Sequence, residues 1–185
     1  MIECEIKLKI DNPEAIKKKL VSMGFIEGEV LTETDTYFDN KNNDVRMSDC
    51  ALRIRETVNH NDGSHFCQIN FKGKKYDNKS VTRPEFETGI ENAAAVTSIL
   101  NGLGFFPVTP QVIKTRQLLS SLDVNACIDT VDGLGHYLEL ESMAENEDEK
   151  ESKLNKIIQI LSDLGYSIDD TTTTSYLSKL QKRNK

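Results

Sequence analysis

The segment Met1 to Ile10 alternates apolar and charged residues without a break, so a strand would carry Ile2, Cys4, Ile6 and Leu8 on one face and Glu3, Glu5, Lys7 and Lys9 on the other. A single strand of this kind predicts only a sheet with one buried and one wet face. Repetition constrains the fold further. The same phase returns in Leu52-Arg53-Ile54-Arg55, in Gln68-Ile69-Asn70-Phe71-Lys72, in Arg83-Pro84-Glu85-Phe86-Glu87, in Lys114-Thr115-Arg116 and in Leu138-Glu139-Leu140-Glu141. The charges are segregated by sign along the chain, acid with acid and base with base. Like charges facing each other across a sheet repel, so a set arranged this way suggests a shared ligand or ion.

A chain of 185 residues fits one domain with a core of ordinary size. No apolar run approaches the roughly 20 residues that span a bilayer, and the start Met1-Ile2-Glu3-Cys4-Glu5 is too acidic for a secretory signal, so the expected location is cytoplasmic, with no membrane partner. The net charge of −7 argues against a general nucleic-acid binder, although local basic clusters can still take a small polyanion. Cys4, Cys50, Cys67 and Cys127 lack CxxC spacing and read as reduced, mostly buried thiols.

After the first strand, Asp11-Asn12-Pro13-Glu14 starts a helix that runs to about Gly24, with Ile16, Leu20 and Met23 on its core face. Strands are predicted at Glu33 to Asp39 and Ala51 to Val58, with a polar loop, Lys41 to Asp49, between them. The turn Asn59 to Ser64 makes a hairpin with a fourth strand ending at Lys72-Gly73. Lys74 to Ser80 is a basic, polar segment, either a flap near a site or a solvated loop, before a strand over Thr82 to Ile90. A second helix covers Asn92 to Gly104. Gly24-Phe25 and Gly104-Phe105 close the two helices alike, which suggests two related β-α-β halves. Strands follow near Val112 to Ser121, Val124 to Val131 and His136 to Ser142, then helices over Glu147 to Leu164 and Tyr176 to Gln181.

Eight strands cannot place so many charges in an ordinary core, because unpaired buried charge costs several kcal/mol or more. Closing the sheet into a barrel satisfies both faces: helices cover an apolar exterior and the charged faces line a hydrated bore. The bases expected inside are Lys7, Arg53, Arg55, Lys72, Arg83, Lys114 and Arg116, and the acids are Glu3, Glu5, Glu85, Glu87, Asp129, Glu139 and Glu141. A ligand with several phosphates explains the bases, and hard divalent cations explain the acids. No adenine pocket or aromatic clamp is evident; Tyr37, Phe38 and Phe86 are expected to pack outside the barrel, and His60, His65 and His136 lie away from these motifs.

Glu3-x-Glu5-x-Lys7 resembles the ExExK signature of the CYTH superfamily, the triphosphate tunnel metalloenzymes, which include class IV adenylyl cyclases and thiamine triphosphatases. The likeness extends over nearly the whole chain through Asp35-Thr36-Tyr37-Phe38-Asp39, Ala51-Leu52-Arg53-Ile54-Arg55, Phe71-Lys72-Gly73, Arg83-x-Glu85-x-Glu87, Lys114-x-Arg116 and Gly133-Leu134-Gly135-x-Tyr137-x-Glu139-x-Glu141, in the order of the CyaB-like branch. The resemblance implies an α+β fold, an eight-stranded antiparallel closed barrel with helices packed outside. A single domain would span 1–185, with tunnel strands mainly in 1–142 and C-terminal helices in 147–184. It implies that Lys7, Arg53, Arg55, Lys72, Arg83, Lys114 and Arg116 grip phosphates. Glu3, Glu5, Asp129, Glu139 and Glu141 would hold Mg2+ or Mn2+, directly or through water, and Glu85 and Glu87 would orient bases or a second metal. Glu3, Glu5, Lys7, Glu139 and Glu141 become the catalytic set. The substrate implied is ATP, tripolyphosphate or thiamine triphosphate. The CyaB-like details favour cyclisation of ATP to cyclic AMP and pyrophosphate; hydrolysis of a terminal phosphate and a non-catalytic polyphosphate-binding module are the alternatives. Pairing as a homodimer is compatible with the resemblance. Two departures stand out: Gln68 and Asn70 are neutral groups beside Lys72, and Thr171 to Thr174 bring no arginine ahead of Ser175-Tyr176.

Overall fold

The computed structural model describes residues 2–76 and 81–183. Eight antiparallel strands close into a barrel: β1 (Ile2–Lys9), β2 (Ile26–Asp39), β3 (Ala51–Asn59), β4 (His65–Lys72), β5 (Arg83–Ile90), β6 (Phe106–Ser121), β7 (Val124–Val131) and β8 (Gly135–Ala144), in the order β1-β5-β4-β3-β2-β6-β7-β8. Helices α1 (Pro13–Ser22), α2 (Asp44–Met47), α3 (Ala93–Gly102), α4 (Glu147–Asp163) and α5 (Tyr176–Arg183) lie outside the wall. The alternation read from the sequence is the wall itself. Ile2, Cys4, Ile6 and Leu8 of β1 face outward into the main core with Leu138 and Leu140 of β8, beneath Ile16 and Leu20 of α1 and Ile157 and Leu161 of α4. A smaller core sets α3, through Leu100, against Phe38 and Ile54.

The two halves are built alike at their helices. Asn12 and Asn92 each accept a backbone N–H from the third residue on, Ala15 at 3.0 Å and Ala95 at 2.9 Å, which satisfies an otherwise orphaned donor. Each helix ends in a left-handed glycine, Gly24 at φ 93° and Gly104 at φ 89°. The chain reverses there and delivers Phe25 and Phe105 to the cores.

β2 and β6 begin earlier than expected, at Ile26 and Phe106, because they pair with each other along most of their length. The expected loop 41–49 contains α2. Its first turn is held by the Asp39 carboxylate, which accepts from Val45 N at 3.0 Å and Arg46 N at 3.1 Å. The segment Lys74 to Ser80 is described only to Tyr76, whose ring lies 4.4 Å from the Lys150 ammonium at the start of α4; residues 77–80 lie outside the described residues, as do 1, 184 and 185. Barrel closure is uneven: β1 pairs with β8 from Ile2↔Ala144 to Lys9↔Tyr137, but with β5 only at Ile2↔Pro84 and Glu3↔Arg83. No helix among the described residues is long and apolar enough to cross a membrane.

Candidate functional site: a charged tunnel

Cross-strand partners face the same side of a sheet, so the register fixes which side chains share the bore. Lys7 stands opposite Glu139 and Glu5 opposite Glu141; Arg116 stands opposite Asp129, Arg53 opposite Asn70, Asn70 opposite Glu87, and Lys72 opposite Glu85. All the phosphate-gripping and metal-holding candidates read from the sequence except Asp129 border one cavity of about 970 Å³, in which Glu85 and Glu87 also take part. Asp129 lies directly behind Arg116, with no exposed surface.

The charges form a circuit around the wall. Lys72 holds Glu3 and, at 3.1 Å, Glu85. Lys7 bridges Glu5 at 3.0 Å and Glu139 at 2.8 Å, and Glu139 also accepts from Arg116. Arg116 forks onto both oxygens of Asp129 at 2.7 Å. Glu33 joins Lys114 at 3.0 Å to Arg55 at 2.9 Å. Asp35 takes Nε and Nη2 of Arg55 at 2.6 and 2.8 Å and Nη1 of Arg53 at 3.1 Å. Asn70 closes the circuit, accepting from Arg53 and donating to Glu87 at 2.6 Å and Glu85 at 3.3 Å. Arg83 differs. Its guanidinium donates to the carbonyls of Val81, Gly73 and Asp49 and has no carboxylate within 4 Å among the described residues.

Pairing of this kind decides the protonation states. Burial would lower the Lys7 pKa, but Glu139 and Glu5 outweigh it and hold the ammonium charged. Burial would raise Glu33, yet Lys114, Arg116 and Arg55 bring it down to about 2. Asp35 and Glu139 are depressed in the same manner, Asp35 by Arg53 and Arg55 and Glu139 by Lys7 and Arg116. Glu141 behaves oppositely: burial, with Glu3, Glu139 and Glu5 nearby and Arg116 in opposition, pushes its carboxyl up to about 7.

Several tunnel residues escape a sequence search for charge between apolar neighbours. Glu33 and Asp35 face the bore, and with them the wall carries more carboxylates than cations. Asn70, one of the departures noted above, is fully buried and links Arg53 to the β5 acids. Cys127 faces the bore opposite Glu139 and donates its thiol to Glu141 at 3.5 Å. Tyr176 reaches in from α5: its hydroxyl donates to Asp129 at 3.1 Å, and its ring lies 4.6 Å from the Lys7 ammonium. Around it Val112, Val131 and Tyr137 form an apolar cluster with Leu177 and Leu180. The threonine run contributes Thr173 and Thr174 to the cavity lining, while Thr172 N donates to Lys7 O at 2.7 Å.

One expectation is corrected. Tyr37 does not pack outside; it shares the face of Asp35 and Glu33, pairs with Arg53 and Val108 across its two neighbouring strands, and borders the cavity. Phe38 does lie outside, under α3, and Phe86 is exposed. Asp129 accepts from Arg116 and from the Tyr176 hydroxyl and pairs with Lys114 at 3.5 Å. It anchors Arg116.

No three His, Cys, Asp or Glu side chains among the described residues are drawn together tightly enough to grip a metal as they stand. The chemistry of the donors nevertheless fits a hard cation. Glu141 faces the bore with no ion pair within 4 Å among the described residues, and Glu3 and Glu5 lie near enough to raise its pKa. A hard cation would relieve that carboxylate repulsion.

A sequence model of the CYTH domain matches residues 1–176. A Methanocaldococcus jannaschii protein named "Putative adenylate cyclase MJ0240" is 38% identical over 177 residues, covering 96% of this chain and 97% of its own. The PH1819 protein of Pyrococcus horikoshii has a solved structure that superposes with a TM-score of 0.87 at 30% identity, covering 98% of this chain and 99% of that one. A Vibrio parahaemolyticus structure, 19% identical, shares the fold at a TM-score of 0.83 over 98% of each chain.

Proposed function

We propose, on the premise that the chain belongs to the CYTH family, that it is a metal-dependent enzyme turning over a triphosphate in its tunnel, and that the reaction is cyclisation of ATP. The observation that carries this reading is the buried circuit of cations and carboxylates, which combines a polyphosphate grip with carboxylates left over for a cation. The name of the 38% identical relative supports cyclisation over hydrolysis.

Lys7, Arg53, Arg55, Lys72, Arg83, Lys114 and Arg116 bind phosphate oxygens. Arg83, with no carboxylate within 4 Å among the described residues, offers a guanidinium held only by backbone carbonyls there. Asp35, Glu33 and Asp129 aim the guanidinium groups of Arg53, Arg55 and Arg116. Glu3, Glu5, Glu139 and Glu141 hold Mg2+ or Mn2+, and Glu85 and Glu87 orient Lys72 and Asn70. A bound divalent cation neutralises phosphate charge and polarises the bond that breaks. The tunnel bases keep the triphosphate extended, so that the ribose 3′-oxygen meets the α-phosphorus and pyrophosphate departs. Catalysis then comes from positioning and from fixed charge, with no covalent role for the protein.

Incubating the pure protein with ATP, tripolyphosphate or thiamine triphosphate in magnesium or manganese, and separating the products, tests this directly. Cyclic AMP with pyrophosphate is the expected outcome. Orthophosphate from tripolyphosphate with no cyclic product from ATP would replace the cyclase by a triphosphatase, and metal-independent binding without turnover would leave only a binding module.

A further inference from the structure

The basic segment that follows β4 reaches the cavity with its first residues. Gly73 N donates to Pro84 O at 2.8 Å and Tyr76 N to Thr82 O at 3.0 Å, so the chain leaving Lys72 lies beside the chain that leads into β5. Lys75 of this segment borders the cavity, as do Arg83 and Asp49. Asp49 ties the two bases together. Its carboxylate accepts from the Lys75 ammonium and, at 3.2 Å, from the Lys75 amide, while its backbone carbonyl accepts from the Arg83 guanidinium at 3.5 Å. Burial would raise the Asp49 carboxyl, but Lys75 and then Arg83 hold it below the usual carboxylate range.

The backbone shows why the carboxylate stands there. Asp49 has φ 56° just past the end of α2, where its N–H donates to Arg46 O and the next amide, Cys50 N, donates to Val45 O. Glycine ordinarily fills this left-handed position after a helix, and an aspartate brings to it an acid that glycine lacks. The resulting pair is held unlike the other ion pairs of the cavity. Lys7, Lys72 and Lys114 each lie between strand carboxylates whose side chains are at most 9% exposed. Lys75 has Asp49 alone among the described residues, and that side chain is 43% exposed. A carboxylate so exposed regains water when its partner leaves, and a lysine on its flexible four-carbon stem can change acceptors, so parting this pair costs little.

We infer that Lys75 is a further phosphate-binding base and that Asp49 is its stand-in partner: in the empty tunnel the carboxylate holds the ammonium near Arg83, and a bound polyphosphate takes the ammonium over. The inference rests on the reading that the tunnel grips a triphosphate. It adds a contact made by two connecting segments outside the barrel wall, assembled only on loading. Asp49 thereby becomes an internal competitor that sets how tightly the phosphate chain is held.

Equilibrium titration with tripolyphosphate in magnesium tests this, on the parent and on variants whose folding is checked by far-ultraviolet circular dichroism. Lys75→Gln should weaken binding about tenfold, the scale of one charge-assisted phosphate contact, and Lys75→Arg, which keeps the charge, should stay within about threefold of the parent. Asparagine is tolerated in the left-handed region and can still accept from the Lys75 amide, but it no longer competes for the ammonium. Asp49→Asn should therefore tighten binding by about two- to fivefold. In the Lys75→Gln background the same change should alter binding by less than about 1.5-fold. A purely structural role for Asp49 would weaken binding in both backgrounds, and a general relief of negative charge would tighten both equally. Either result overturns the inference, as does a Lys75→Gln variant that binds like the parent. Failure of the unaltered protein to bind tripolyphosphate would instead overturn the triphosphate reading, and this inference with it.

Discussion

Replacing Glu141 by Gln should stabilise the metal-free protein in alkaline but not in acidic solution. Glu141 titrates near 4.5 when free, and burial pushes it up to about 7 in the fold, with Glu3, Glu139 and Glu5 adding to the rise and Arg116 opposing it. A pKa raised by folding means that the folded chain binds this proton more tightly than the unfolded one. The resulting stabilisation is complete below pH 4.5 and is lost as pH climbs through 7. At about 1.36 kcal/mol per pH unit, the interval sets a ceiling of about 3 kcal/mol. The side chain is half-buried and faces a hydrated bore, so screening reduces this to about 1–2 kcal/mol. In a chain of this length that corresponds to roughly 2–8 °C in melting temperature. The assay is a pair of thermal melts followed by circular dichroism, with chelator present, at pH 5 and pH 8. Glutamine mimics the protonated acid, so the variant should melt close to the parent at pH 5 and several degrees above it at pH 8. Magnesium should reverse the order at pH 8 by stabilising the parent more than the variant. A difference between variant and parent that stays constant or shrinks from pH 5 to pH 8 would refute the account of Glu141 as a carboxylate lacking a counter-charge.

Asp35→Ala removes the only carboxylate within 4 Å of Arg53 among the described residues, leaves Arg55 with Glu33 alone, and should cost about 3–5 kcal/mol in guanidinium denaturation, with part of the loss restored by tripolyphosphate. Glu139→Gln should abolish turnover of ATP and its metal dependence while leaving the far-ultraviolet spectrum unchanged; surviving activity would remove Glu139 from the metal set. Tyr176→Phe deletes only the hydroxyl donated to Asp129 and should lower stability by about 1 kcal/mol in urea. Leu161→Ala, on the fully buried face of α4, should cost about 2–5 kcal/mol and leave triphosphate affinity intact at temperatures where the protein remains folded.

The barrel was legible because its two faces obey opposite chemistries: Ile2, Ile6 and Leu8 seek the helices, while Glu3, Glu5 and Lys7 seek one another's partners across the bore. The same logic hid Glu33 and Asp35. Their neighbours on the outer face are Thr32, Thr34 and Thr36, so no apolar contrast marks that stretch as a strand with a charged interior. Cys127 shares the phase of Asp129 and could have been placed in the bore by counting in twos. Tyr176 offered no such signal. It reaches Asp129 across 47 positions of chain, through the docking of α5 on the barrel end, which local periodicity does not encode. Tyr37 was misplaced because an aromatic residue next to Phe38 reads as core in either phase; only the partners Arg53 and Val108 reveal which of the two turns inward.

The uneven closure of the barrel has a mechanical consequence. Around most of the circumference each strand is zipped to its neighbour over many residues, but β1 and β5 meet at two pairs, and Pro84 in one of them has no N–H to give. The other pair is Glu3 with Arg83, the residues proposed above to hold a cation and a phosphate. On the proposed reading the cylinder's shortest seam would be tied by its cargo, and a filled tunnel would also be a better-closed one. Slowed amide exchange at the β1–β5 joint should report occupancy even where no side chain moves far enough to be seen.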